Sequence, residues 1–181
     1  MTQLPAPPIT PDMVAEARTK PGQWLYVVDP EFDARGEVPG WGVRGGYRVD
    51  ERGQLAEFLP NPKFRPGPRT LNYPMPENRL ERAIELLATG YGTDEAMFQA
   101  LPDAQLILPE HPERPRQLHV LPQPDGSNLL HAFTSQRWLP GNWSHWQLAT
   151  GRDLLNANLG RAAVRLNPDV RGAVSLTIPL S

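Results

Sequence analysis

Four histidines, at 111, 119, 131 and 145, are the side chains of this chain best suited to metal or acid–base chemistry, and no cysteine accompanies them. A transition-metal site needs two or three ligands to converge, and nucleophilic catalysis needs a base within reach of the nucleophile. If Asp125-Gly126 is a two-residue turn between strands, Val120 faces His131 and His119 faces Ala132, which puts His119 and His131 on opposite sheet faces. One added loop residue reverses that result. His111 stands in a polar stretch beside Glu110 and Glu113. Ser135 is the serine in the most suggestive place, yet it lacks the Gly-x-Ser-x-Gly turn that presents a nucleophile. The glycine-bearing stretch from Trp41 to Gly46 reads as a strand and not as a phosphate-holding loop before a helix. These patterns predict no catalytic residues, no metal ligands and no cofactor, and they favour a binding or accessory protein over an enzyme.

A different group of residues suits recognition. Trp138, Trp143 and Trp146 lie within nine positions and are three of the five tryptophans of the chain. If residues 143–148 form a strand, Trp143 and His145 point to one face and Trp146 with Leu148 to the other. Both faces cannot easily join one core in a two-layer fold. The expectation is a buried Trp146, with Trp143, or Trp138 in the preceding Pro-Gly loop, partly exposed. Trp138, Trp143 and His145 are therefore the candidate partner-binding residues, since exposed tryptophan often anchors an interface.

The elements that must carry these residues follow from the pattern. Thr10-Pro11-Asp12 starts a short helix. Residues 24–28 read as a buried strand, 41–49 as a strand with one apolar face, and 55–59 as its hairpin partner. Six prolines crowd residues 60–76, which predicts a long extended surface segment pinned by Phe58, Phe64 and Tyr73. Two helices follow: one carries Leu80, Ala83, Ile84 and Leu87 before Gly90, and one begins at Thr93 with Met97, Phe98 and Leu101 as its apolar side. Strands are expected at 104–108, 118–121, 129–133, 143–148, 163–166 and 173–178, with a short helix capped by Thr150 and Asp153. Pro109, Pro112 and Pro115 read as a stiff exposed connection, of a composition that can also enter an aromatic groove as polyproline II. Recurring hairpins with few helices predict an α+β fold with a mostly antiparallel sheet.

The 181 residues, 39% hydrophobic and 21% charged, suffice for one domain with an appendage. A net charge of −2 does not favour a general grip on nucleic acid. The opening residues lack the basic and apolar regions of a secretory signal, and no apolar run is long enough to span a membrane, so the cytoplasm is the expected location.

The order Phe98-Gln99-Ala100-Leu101, Leu106-Ile107-Leu108-Pro109, Asp125-Gly126, Ala132-Phe133-Thr134-Ser135, Asp153-Leu154-Leu155 and Leu166-Asn167-Pro168 resembles the SseB N-terminal domain family of bacterial proteins. The resemblance covers residues 77–181. Residues 1–76 resemble the extension of actinobacterial proteins described as type VII secretion system-associated, through Val28-Asp29-Pro30-Glu31-Phe32-Asp33, Val38-Pro39-Gly40-Trp41, Gly45 to Val49, and Asn61-Pro62-Lys63-Phe64-Arg65-Pro66. The resemblance implies an α+β fold, and the apolar area of Phe58, Phe64 and Tyr73 predicts that the N-terminal Pro-rich extension, residues 1–76, packs on the SseB-like domain, residues 77–181. It also implies an origin beside the genes of an export system, and it carries over no catalytic residues. The expected role is that of a cytosolic adaptor binding a secretion component or substrate; the alternative is an immunity-type protein that masks an exported toxin. The Tyr-x-x-x-Glu spacings at Tyr47/Glu51 and Tyr91/Glu95 lie outside any C-terminal helical tail, so the protein is expected to stay inside the cell. The matched Thr134, Ser135, Asn167 and Pro168 read as turn-forming scaffold.

Overall fold

The computed structural model describes residues 4–141, 143–157 and 159–180. The fold is α+β, and the described residues form four short α-helices and ten strands that pair mostly antiparallel. The chain divides into two compact units, residues 1–72 and 73–181.

In the first unit, helix α1 (Pro11–Ala17) is capped by the Thr10 hydroxyl, which accepts from the Met13 amide. Strands β1 (Trp24–Val28), β2 (Val43–Val49) and β3 (Leu55–Pro60) form an antiparallel sheet in that order. Ala17, Leu25 and Val49 make its small core. β1 is one-sided and not buried, because Trp24 and Tyr26 stand exposed opposite Leu25. The proline-rich segment is not one extended run. It turns at 62–63 and again at 68–72. Asp29, fully buried, accepts from the amides of Glu31 and Gly67 and from the Thr70 hydroxyl, so one carboxylate anchors donors that the proline-rich segment still offers. Phe58 and Phe64 are half-buried.

The second unit is built from helices α2 (Arg79–Thr89), α3 (Asp94–Ala100) and α4 (Gly151–Asn156) with two sheets. Gly90 ends α2 in the left-handed conformation. One sheet orders β10 (Leu176–Leu180), β9 (Ala162–Leu166), β7 (Asn128–Ala132) and β6 (Val120–Pro122); β7 and β9 run parallel and the other pairs antiparallel. The other orders β5 (Arg114–Leu118), β4 (Gln105–His111) and β8 (Trp146–Thr150), all antiparallel. An Ile107–Phe133 bridge ties β4 to the end of β7. The main core gathers Leu80, Ile84, Met97, Leu101, Leu106, Leu108, Leu130, Leu154, Val164, Leu166 and Ile178. Phe98 is exposed, and Met97, Ala100 and Leu101 form the buried side of α3 instead.

The stretch from Pro109 to Pro115 is a hairpin and not a polyproline connection. Pro109 is accommodated because the β4–β8 ladder uses its neighbours: the bonds from the Glu110 amide to the His145 carbonyl and from the Gly151 amide to the Ala104 carbonyl set a parity that leaves residue 109 facing away from β8. Its carbonyl accepts from the His119 amide. Pro115 lies on an edge strand, where a missing donor costs no ladder bond.

Candidate functional site

Asn78 caps α2 by accepting from the Glu81 amide, and its own side-chain amide donates to the Thr134 carbonyl. This places Glu81, only 3% exposed, inside the unit. Its carboxylate accepts from the Glu77 amide, the Thr134 hydroxyl, the Trp138 indole N–H and the Arg137 guanidinium. Asn167 completes the network by accepting from the Thr134 amide and donating to the Thr134 hydroxyl. Arg137 also stacks over the Trp138 ring at 4.4 Å and donates to the Met75 carbonyl. Burial opposes ionisation of Glu81. The Glu77 amide, the Ser135 and Thr134 hydroxyls and the Arg137 charge outweigh it and hold the carboxyl below its ordinary value. Ser135 Oγ acts there as a nearby dipole, since it is closed off from solvent without a well-formed hydrogen bond.

Beside this network lies an open cleft of about 550 Å³. Leu80, Ala100, Ala104, Ile107, Trp146 and Leu148 give it an apolar floor, and Glu77, Arg79, Asp103 and Gln136 stand among its polar lining. Cross-strand pairing explains the floor: Ile107 faces Leu148, and Pro109 faces Trp146, so these side chains share one sheet face. Leu148 is 57% exposed. On the opposite face Leu106 and Leu108 enter the main core.

Trp138 is a core residue, 9% exposed, with its indole N–H committed to Glu81. Trp143 is half-buried and His145 exposed. Trp146 is half-buried and not buried, because β8 starts at residue 146: Trp143 falls outside the strand, and the face that carries Trp146 opens onto the cleft. The histidines also differ from expectation. The hairpin loop has three residues, Pro124, Asp125 and Gly126, closed by a bond from the Gln123 amide to the Ser127 carbonyl. Val120 therefore pairs with Leu130, and extending the register sets His119 opposite His131 on the same face. The ring of His119 lies 5.7 Å from that of His111 and 5.4 Å from that of Trp143. Among the described residues, no group of three or more His, Asp or Glu side chains is arranged to hold a metal ion. Ser144 Oγ lies 2.9 Å from His145 Nδ1, a contact between exposed neighbours in which no carboxylate is seen orienting the other ring nitrogen.

His131 is half-buried and pairs across the parallel ladder with Arg165. Burial first, then the Arg165 and His119 charges, lower its pKa from 6.5, with Asp169 acting the other way. A histidine of lowered folded pKa takes up its proton more readily when unfolded, so stability is complete above that range and falls as pH drops through 6.5. Thermal melts between pH 7.5 and 5.5 should therefore show a declining Tm, and H131Q should flatten that decline. An unchanged slope in the variant would assign the decline to other groups.

The buried polar network escaped sequence reasoning because its carboxylate lies in an ordinary helix pattern. The adjacent signals were Asn78 as a cap three residues before Glu81 and the Thr134 and Asn167 motifs. Residues 80–179 match the family model of the SseB protein N-terminal domain. No curated protein and no solved structure matches the chain.

Proposed function

Because the chain belongs to the family of the SseB protein N-terminal domain, matched over residues 80–179, we propose that it is a non-enzymatic accessory or adaptor protein of a bacterial type VII secretion locus that acts by binding another protein in the cytoplasm. The observation that carries the binding reading is the cleft over the β4–β8 face, which leaves Leu148 and part of Trp146 uncovered. Apolar surface with a polar rim is the composition of a recognition site. The link to secretion is supported by the resemblance of residues 28–33, 38–41 and 61–66 to the extension of secretion-associated proteins. No helix among the described residues is long and apolar enough to cross a membrane, which accords with a role that does not need insertion.

The test is capture of the tagged full chain from its native host after crosslinking, with the partner identified by mass spectrometry. A membrane ATPase or an exported substrate of the secretion system is the expected result. A neighbouring toxin would replace the adaptor reading with that of an immunity-type protein, and turnover of a small molecule by the purified chain would overturn both.

A further inference from the structure

We propose that the outer edge of β8 receives an extended, uncharged peptide segment of the partner as an added strand, with two apolar side chains of that segment, two positions apart, entering the adjoining cleft. The inference rests on the protein-binding reading above and deepens it to a mode of recognition. β8 is the last strand of its sheet, and among the described residues it forms a ladder with β4 alone. The bonds from the Glu110 amide to the His145 carbonyl and from the Gly151 amide to the Ala104 carbonyl fix which residues of β8 face β4. By alternation, His145, Gln147, Ala149 and Gly151 point inward, whereas Trp146, Leu148 and Thr150 point outward. The Thr150 amide is already taken by Asp153 Oδ2. Trp146 and Leu148 thus present two N–H and two C=O groups for which no backbone partner is seen among the described residues.

The other edges of the second unit are blunted. β5 carries Arg114, Pro115 and Arg116, with Arg116 at a φ of +68°. β6 has three residues and ends in Pro122, and β10 contains Pro179. β8, Trp146-Gln-Leu-Ala-Thr150, has neither proline nor charge. Proline, charge and shortness are the usual means of discouraging strand addition, so an edge that lacks all three is open to it. The side chains on that edge also line the cleft, which supplies what main-chain pairing lacks: a choice of partner. A peptide strand alternates its side chains, so residues two apart face the floor of Leu80, Ile107, Trp146 and Leu148. Glu77, Asp103 and Arg79 in the lining bring both signs of charge, which favours an uncharged segment.

A second copy of the chain fits less well. Two five-residue β8 strands paired about a two-fold would bury far less than the roughly 1,200 Å² at the low end of stable interfaces. They would also set Leu148, itself part of the cleft wall, against its own copy and leave the cleft unfilled.

The probe is a display library of random octapeptides panned against the purified full chain, followed by fluorescence anisotropy with an enriched peptide. The expected result is enrichment of apolar residues at alternating positions. Binding should weaken at least about tenfold in L148K, which places a charge on an exposed edge position, with melting nearly unchanged. N-methylation of the peptide at the alternate residues that face β8 should abolish binding, whereas methylation of the others should not. L148P serves as a second variant, because it removes an N–H that points away from β4. Enrichment of no such pattern, or equal binding by L148K and the wild-type chain, would overturn the proposal. So would self-association by sedimentation that L148K abolishes, which would assign the edge to a second copy. A secretion component captured equally by wild type and L148K would leave the adaptor reading standing and remove the edge. Edge-dependent peptide binding with only a toxin captured would do the reverse.

Discussion

Replacing Glu81 with alanine should lower the stability of the second unit by about 3–5 kcal/mol, the usual cost of breaking a buried, hydrogen-bonded charge pair by removing one partner. The loss is large because four donors converge on one carboxylate: the Glu77 amide, the Thr134 hydroxyl, the Trp138 indole and the Arg137 guanidinium. The alanine would leave the Trp138 indole N–H inside without an acceptor and the Arg137 guanidinium without the Glu81 carboxylate. E81Q should cost less, about 1–3 kcal/mol, because its carbonyl oxygen still accepts on one side while its amide meets donors on the other. Urea denaturation of the two variants gives the order directly. An E81A loss below about 1 kcal/mol would show that the network is incidental to stability.

G151A should cost about 3 kcal/mol or more despite alanine's better helix propensity. A Cβ at position 151 would stand 1.9 Å from the Leu101 carbonyl oxygen and 2.7 Å from its carbon, so two backbones would have to separate. The Gly151 amide is also the inward bond from the end of β8 to Ala104. Separation at this point loosens the strand that forms the open edge and the start of α4 together. G141A is the control: nothing lies within 4 Å of its Cβ position, and its melting temperature should stay within about a degree or two. Equal melting of both variants would show that the backbone at Leu101 yields without cost.

Periodicity carried most of the elements. The Thr10, Thr93 and Thr150 caps and the apolar stripe of α2 are local features, so they could be read from short windows. What was not legible depended on register or distance. The opposition of His119 and His131 turned on a single loop residue, which the Pro124-Asp125-Gly126 signal does not fix. The 109–118 hairpin was hidden because its three prolines argue against strands; the ladder parity shows why Pro109 is tolerated, and the edge position of its strand why Pro115 is. Trp138 lies close in sequence to Trp143, but its destination is decided by Glu81, 57 residues earlier. The cleft and the open edge of β8 depend on which strand ends the sheet, and strand order is written nowhere in a local pattern.

The Glu81 network also bears on how such a sequence can change by descent. Asn167 sits at a φ of +46°, where glycine would suit the backbone, yet its side-chain oxygen accepts from the Thr134 amide and its side-chain amide donates to the Thr134 hydroxyl. Thr134 in turn needs Glu81, and Glu81 answers Trp138 and Arg137. A substitution at any one of these positions strands a polar atom at the others, so single steps are closed off while a concerted replacement by apolar residues of similar shape is open. Lineages that carry this domain are therefore expected to keep the five residues as a set or exchange them as a set, with drift confined to the surface around them.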